Sequence, residues 1–448
     1  MPCRATIAPD LPEARAVTLS PALNHPQRLV LSAEVHARPF LDLEAPARAS
    51  HLAVYTGSDL HRAYRLVEVF CQRFGIAPPA LGAQHFVHDL GHVRFRWERH
   101  TEFCTCTFVE AGLPQGDPFS EPAIRHAPAD WLEVLGASVL AACHLAVERG
   151  DPLDFRDHRL KRVFPAPPLV GGQVLSAGEV WTDFQVGPGG FTRILVRDTG
   201  LRETQAGRLV QRLCELETYR MMALLALPTA RDSAAALAAM EAELGEISAA
   251  MVHTDQPVDE AVLLTRLSSL ASRAEALSLR TSYRFGAAQA YYRIVRARIG
   301  DLRETRVEGV PTIGEFMARR LAPAMETCLS VAGRQATLAE RVGRANDLLR
   351  TSVSLAQERN NLQILEQLNR NAESQLQLQH AVEGLSVVAV SYYVLGLTGY
   401  LLKAGKTAGL PIPVDLLLGL LVPAIFGLTW FGIRRLRHRV ARRPQGGH

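Results

Sequence analysis

Two uncharged stretches near the end of the chain decide its fold class: LSVVAVSYYVLGLTGYLL at residues 385–402 and LLLGLLVPAIFGLTWFGI at residues 416–433. An α-helix of either length covers roughly 27 Å, close to the thickness of a bilayer's hydrocarbon core. The alternative is a pair of buried helices in a soluble core, but such helices rarely lack a polar face for five turns. We therefore predict two transmembrane helices, about 384–402 and 416–433, which makes the lipid bilayer a partner.

The charges that flank these stretches predict their orientation. The connector 403–415 carries two lysines and one aspartate. The tail 434–448 carries six arginines, which we expect to face anionic lipid: Arg434, Arg435, Arg437, Arg439, Arg442 and Arg443. Because positive loops remain in the cytoplasm, both termini are predicted to be cytoplasmic.

The rest of the composition predicts an ordinary folded body in a reducing compartment. Without the six tail arginines the chain has 43 basic and 45 acidic residues, so we expect no nucleic-acid partner. Its seven scattered cysteines are typical of small buried hydrophobic residues in the cytosol. Residues 1–24 lack the apolar core of a secretory signal and are predicted to be a flexible tail.

A helical stalk is predicted directly before the first apolar stretch. Residues 344–383 contain neither glycine nor proline, and a heptad series runs through them at Leu348, Leu355, Leu362, Asn369 and Leu376. With the helical periodicity of the preceding residues, this predicts a bundle and stalk over 201–383. A lone helix cannot bury such a seam, so we expect it to pack against earlier helices of the chain, against other subunits of a homo-oligomer, or against both.

The N-terminal third has strand-like patterns instead. Short alternating or β-branched runs, such as SHLAVYT at residues 50–56, predict seven strands within 25–200, and residues 59–74 and 129–148 are predicted to be helices. Strands and helices do not alternate regularly enough for a doubly wound sheet. The fold class is therefore α+β: a cytosolic mixed sheet with helices, followed by the helical stalk and the two transmembrane helices.

One polar cluster lies at the start of this domain, in Glu34, His36 and Arg38. On an extended segment these side chains share a face and could bind an anion or transfer a proton. The favoured interpretation is a Glu34–Arg38 ion pair that fixes the start of the domain.

A second cluster is formed by Glu98, His100 and Glu102, which would share one face with Arg96, Cys104 and Cys106 if no turn intervened. Zinc is one interpretation of these side chains together with nearby histidines. Their spacing does not match the paired ligands of structural zinc sites. A hydrogen-bonded sheet face without metal is therefore the prediction.

A third cluster lies in the first apolar stretch, where Ser386, Tyr393 and Tyr400 recur at heptad spacing, and Ser391 and Thr398 do so on another side. Small and hydroxyl residues in a span favour helix packing, although they can also line a wet path. The apolar stretches carry no carboxylate, and the Walker, GxSxG and HExxH motifs are missing from the sequence. We predict neither an enzyme nor a cofactor.

Several segments resemble one bacterial family of membrane-anchored proteins, domain of unknown function 3422. They are EVHARPF at 34–40, WERHTEF at 97–103, AGRLVQRL at 206–213 and ETYRMMALL at 217–225. The resemblance extends over roughly residues 20 to 440. It implies a bacterial inner-membrane protein and assigns no activity to any residue.

The layout is also similar to that of CorA-type magnesium channels, which implies a homo-oligomer and ion transport. The Gly-Met-Asn signature of those channels is missing: the corresponding residues are Gly399, Tyr400 and Leu401. Lys403 and Lys406 would also repel a divalent cation. The alternative is a membrane-tethered scaffold or interaction protein without a pore.

Overall fold

A computed structural model of the chain describes residues 24–29, 31–32, 40–202, 204–252, 260–407 and 413–440. Its contacts divide the chain into two compact units. Unit 1 comprises Met1–Val258 and Thr265–Ala345, and unit 2 comprises Asp259–Leu264 and Asn346–His448. The predicted tail before residue 24 and the end of the basic tail, residues 441–448, lie outside the described residues.

An eight-stranded sheet forms the centre of unit 1. Its strands are β1 (Ala47–Tyr55), β2 (His85–Asp89), β3 (Arg94–Arg99), β4 (Phe103–Ala111), β5 (Val139–Arg149), β6 (Val170–Val174), β7 (Gly178–Thr182) and β8 (Thr192–Asp198). Their order is β2-β3-β4-β1-β5-β8-β7-β6. Only the β5–β8 pair is parallel among the described strands, so the predicted mixed sheet is confirmed.

Side-chain alternation gives this sheet two covered faces. Three short helices belong to this part of the chain: α1 (Leu60–Phe74), α2 (Ala129–Leu135) and α3 (His158–Val163). On one face, Phe95 of β3 stacks on Phe70 of α1, with ring centroids 3.7 Å apart, and Trp131 of α2 closes the aromatic cluster. On the other face, Ala53 and Phe103 pack against Met222 of the helical bundle.

The prediction of a helix over residues 129–148 is wrong. The helix α2 ends at Leu135, Gly136 follows with φ of 55°, and Val139–Arg149 form strand β5. Because β5 lies between β1 and β8, most of its side chains are buried on both faces. A strand covered on both sides is a continuous apolar run, and its periodicity cannot be distinguished from that of a buried helix.

Helices continue unit 1 after the sheet. They are α4 (Gln205–Leu224), α5 (Ala226–Val252), α6 (Glu260–Leu302), α7 (Ile313–Arg320) and the beginning of α8 (Ala322–Thr407). A bidentate ion pair joins α8 to α5: Arg334 Nε lies 3.0 Å from Glu241 Oε1, and Nη2 lies 2.6 Å from Oε2. Thr281 of α6 donates to Gln335 Oε1 of α8 at 3.0 Å. The predicted helical bundle is therefore present.

The connection between α6 and α7 also covers the β6 edge of the sheet. Thr305 and Gln173 exchange two backbone hydrogen bonds, of 2.8 and 3.2 Å, and Gly171 N–H donates to Pro311 O at 3.0 Å. At this edge the backbone donors of Gly171 and Gln173 are therefore already paired within the chain.

Unit 2 contains the remainder of α8, from Asn346, and the helix α9 (Val414–Val440). Both helices include a stretch long and apolar enough to cross a membrane. Residues 357–382 of α8 are all exposed, and the exposed leucines of this helix include Leu355 and Leu362, which are 52% and 56% accessible.

Candidate functional site

A polar crevice lies between the sheet and α4 in unit 1, with a cavity of about 240 Å³. The strands β1, β3 and β4 supply one wall because alternate residues share a face of the sheet. Polar and apolar groups both line it, and the polar side chains are His51, Arg96, Glu98, His100, Thr105, Thr107, Gln211, Glu215, Thr218 and Arg298. We call this space the sheet–α4 crevice.

Residue His51 forms the floor of the crevice and is locked in place on both sides. Its Nδ1 lies 2.8 Å from Thr107 Oγ1 on β4, and its Nε2 lies 2.9 Å from Thr218 Oγ1 on α4. Complete burial, reinforced by the positive charge of Arg96, lowers the pKa of His51 to about 3. The ring is thus neutral at physiological pH and joins sheet to helix, which makes it a poor proton shuttle.

Residue Arg96 lines the crevice and has a buried hydrogen-bond donor without a partner among the described residues. Its side chain is 6% accessible, and Nη2 donates to Glu98 Oε1 at 2.7 Å. Among the described residues, Nε has no hydrogen-bond partner although it is buried. Because an unmade hydrogen bond at a buried donor is costly, a ligand that offers an oxygen atom to Nε would be stabilised here.

A second ion-pair group forms the opposite part of the crevice. Arg298 of α6 contacts Glu215 of α4 and also donates to Asp301 Oδ2 at 3.2 Å. The cation and carboxylate of each pair balance, so the crevice is suited to a small polar molecule more than to a strong anion. His100 stacks on Phe103, with ring centroids 4.3 Å apart, and supplies a flat wall.

The predicted cluster of Glu98, His100 and Glu102 is divided by the structure. A turn at residues 100–102 separates β3 from β4, so the condition for one continuous face is not met. Glu98 and His100 line the crevice. Glu102 is buried elsewhere, and its carboxylate accepts from Arg284 Nη1 and Nη2 of α6 at 2.9 and 2.8 Å.

Cys104 and Cys106, which the zinc interpretation would place on one face with His100, lie on the face of the sheet opposite the crevice. Cys104 and Cys106 belong to the apolar core beside Trp97 and Phe108. Burial raises the pKa of Cys104 to about 12 and raises that of Cys106 further above its usual range. Within the described part of the chain, no group of three or more metal-ligating side chains occurs.

The third cluster is also divided, within unit 2. Ser391 is buried between α8 and α9, with its Oγ 2.6 Å from Thr429 Oγ1. Thr398 is half-buried and donates to Val394 O at 2.7 Å. Ser386, Tyr393 and Tyr400 are exposed, and the Ser386 hydroxyl donates to Val382 O of its own helix at 2.8 Å.

Two groups of predicted residues cannot be placed. Glu34, His36 and Arg38 lie outside the described residues. In the basic tail, Arg435 is exposed, Arg442 and Arg443 lie outside the described residues, and the side chains of Arg434, Arg437 and Arg439 are not described.

Several residues of the crevice are missing from the sequence-based prediction. His51 had a weak signal, because it interrupts the apolar strand SHLAVYT on the face opposite Leu52 and Val54. Arg298 and Glu215 had none, since their positions on long helices carry no local motif. Only the packing of helix against sheet brings them to the site.

Comparison with known proteins assigns most of the chain to one family. A family model described as "Protein of unknown function (DUF3422)" matches residues 23–440. The chain belongs to the DUF3422 family. The predicted family is thus confirmed, and three of the DUF3422-like segments named above, 97–103, 206–213 and 217–225, contribute side chains to the crevice. No curated protein matches the sequence.

Proposed function

We propose that this DUF3422 protein is a non-enzymatic, membrane-anchored homo-oligomer of the bacterial inner membrane, with both termini in the cytoplasm. The two apolar stretches of α8 and α9 would serve as its spans, and the arginine-rich tail would rest on anionic lipid. Unit 1 would then lie in the cytoplasm, in agreement with its six buried, unpaired cysteines.

The exposed leucine seam of α8 is the observation that supports the proposed homo-oligomer. Leu348, Leu355, Leu362 and Leu376 recur at heptad spacing and are 65%, 52%, 56% and 53% accessible in the single chain. A soluble helix gains stability by covering such a seam with a partner helix. A second copy offers the same seam in the same register, so self-association would bury it without another protein.

Light scattering of the detergent-purified chain, corrected for bound detergent, tests the oligomer. The wild type is expected as one defined oligomer, and Leu355→Asp with Leu362→Asp is expected to dissociate it. Asn360→Asp with Gln367→Asp adds the same charge to exposed positions off the seam and should keep the wild-type mass. A monomeric wild type would contradict the proposal.

Ion transport is the second candidate function, in line with the CorA-like layout. It is favoured by one observation: Ser386, Tyr393 and Tyr400 line an exposed polar stripe on the first apolar stretch. In an oligomer this stripe could face a central path, since hydroxyl groups avoid lipid when a wet surface exists.

Flux of monovalent and divalent cations into proteoliposomes tests the second candidate. Tyr393→Leu with Tyr400→Leu should reduce the flux, whereas Leu385→Val with Val388→Leu, at exposed positions off the stripe, should leave it unchanged. Without flux in the wild type, the chain would be a membrane-tethered scaffold or interaction protein, and its sheet–α4 crevice would be the first place to search for a ligand.

A further inference from the structure

A second cavity in unit 1, of about 390 Å³, is surrounded by arginines. It lies where α4 begins and α6 ends, beside the turn that follows β6. Arg208 and Arg212 are one helical turn apart on α4, and Arg303 directly follows α6. We call it the arginine cavity. It shares no lining residue with the sheet–α4 crevice, although its Asp301 accepts a hydrogen bond from Arg298 of that crevice.

The charge of the arginine cavity is not balanced by its lining residues. Asp301 is their only carboxylate, and it lies 3.8 Å from Arg212 Nε while also accepting from Arg298. Arg208 donates to the hydroxyl and the carbonyl oxygen of Thr204, at 2.7 and 3.3 Å. Among the described residues, neither Arg208 nor Arg303 has a carboxylate within 4.0 Å. Two of the three lining arginines therefore lack a counter-charge, which an anion in the cavity would supply.

Backbone conformation around the arginine cavity gives a second, independent observation. Five described residues other than glycine have positive φ, and three of them are here: Leu175 at 51°, Thr204 at 66° and Arg303 at 49°. Such conformations cost free energy and are concentrated at functional sites. The chain thus adopts unfavourable backbone at the positions that shape this cavity.

We propose that the arginine cavity binds a phosphate group of a small molecule or lipid. Planar guanidinium groups match the oxygens of phosphate in pairs, and an always-charged arginine keeps this affinity across physiological pH. The cavity is larger than a single phosphate needs, so it accommodates a phosphate ester or a pyrophosphate. This site is independent of the proposed function and requires neither oligomer nor pore.

Calorimetric titration of the detergent-purified full chain with sodium pyrophosphate tests the proposal. Saturable binding is expected, weakening as salt rises, and Arg208→Gln with Arg303→Gln should weaken it at least about tenfold, since charge-assisted hydrogen bonds to the phosphate are lost. Arg231→Gln, at an exposed position on α5, is the matched control and should bind as the wild type does. Equal binding by the double variant would overturn the proposal.

A lipid headgroup and a soluble phosphate compound are distinguished by a second measurement. The melting temperature is compared in phosphatidylcholine nanodiscs with and without phosphatidic acid, for the wild type and the double variant. Stabilisation by phosphatidic acid that the double variant loses, without binding of pyrophosphate, identifies a lipid as the source. Binding of pyrophosphate alone identifies a soluble compound, and a wild type that responds to neither refutes the site.

Discussion

At the scale of single residues, two buried polar groups join sheet to helix in unit 1. His51 connects β1 to β4 and α4 through two threonine hydroxyls, and Glu102 connects the β3–β4 turn to Arg284 of α6. Each group has its full set of partners only when the helices pack on the sheet, since Thr218 and Arg284 belong to α4 and α6. Both are therefore contacts whose loss should be visible in the stability of unit 1.

The free energy of unfolding should decrease as the pH is lowered, because of His51. The pKa of this ring is about 3 in the folded chain, against about 6.5 when unfolded, so below pH 6.5 the unfolded state binds the extra proton. At pH 5 this difference costs about 2 kcal/mol relative to pH 7.5. Thermal melts of His51→Gln should show lower stability at pH 7.5 and a flatter decline between pH 7 and pH 5.

The half-buried His144 contributes in the same direction and serves as a comparison. Burial, together with the charge of Arg193, lowers its pKa to about 4. A decline as steep in His51→Gln as in the wild type would assign the pH dependence to other groups, of which His144 would be the first to replace.

Removal of the Glu102 carboxylate should destabilise unit 1 strongly. Glu102→Gln leaves Arg284, whose side chain is 14% accessible, without its counter-charge, and breaking such a pair costs about 3 kcal/mol or more. Glu102→Gln combined with Arg284→Met removes both charges and should recover part of the loss. Denaturant unfolding of the full chain measures the free energy of unfolding of both variants. An unchanged value for Glu102→Gln would contradict the prediction and would show that water replaces the carboxylate.

At the scale of elements, local sequence patterns predict helix α1 and most of the strands, but they fail for β5. Helix α1 and the strands β2 to β4 lie close to their predicted positions because their patterns carry alternation or an N-cap such as Asp59. Strand β5 is covered on both faces and lies between β1 and β8. Its own sequence does not show which strands will pair with it. The crevice is unpredictable for the same reason: its walls come from separate elements.

Packing of α8 against α9 gives a prediction at this scale. Ser391 is buried in that contact, whereas Ser386, on the same helix, is exposed. Ser391→Leu should destabilise the helix pair by about 1–3 kcal/mol through overpacking, and Ser391→Ala should cost about 0.6 kcal/mol through the lost hydrogen bond. Ser386→Leu is the matched control. Unfolding in mixed detergent micelles compares the three, and an equal effect of both leucines would contradict this packing.

At the scale of the whole molecule, the distribution of charge predicts topology. The arginine-rich tail follows α9's apolar stretch, and the short connector precedes it with a single aspartate and two lysines. A green fluorescent protein fused after His448 should therefore fluoresce in bacterial cells, and alkaline phosphatase inserted after Pro413 should be active. Replacement of the six tail arginines by glutamine should reduce both signals by mixing orientations. The opposite pattern in the wild type would invert the proposed topology.

The paired β6 edge bears on aggregation. Membrane proteins accumulate at high local concentration in two dimensions, where an open strand edge would let one sheet extend into the next. Residues 305 and 311 already occupy donors along β6, and the opposite edge, β2, is short and carries His85 and Asp89. Copies that collide through the β6 edge would thus find few free backbone donors, which disfavours extension of the sheet on that side.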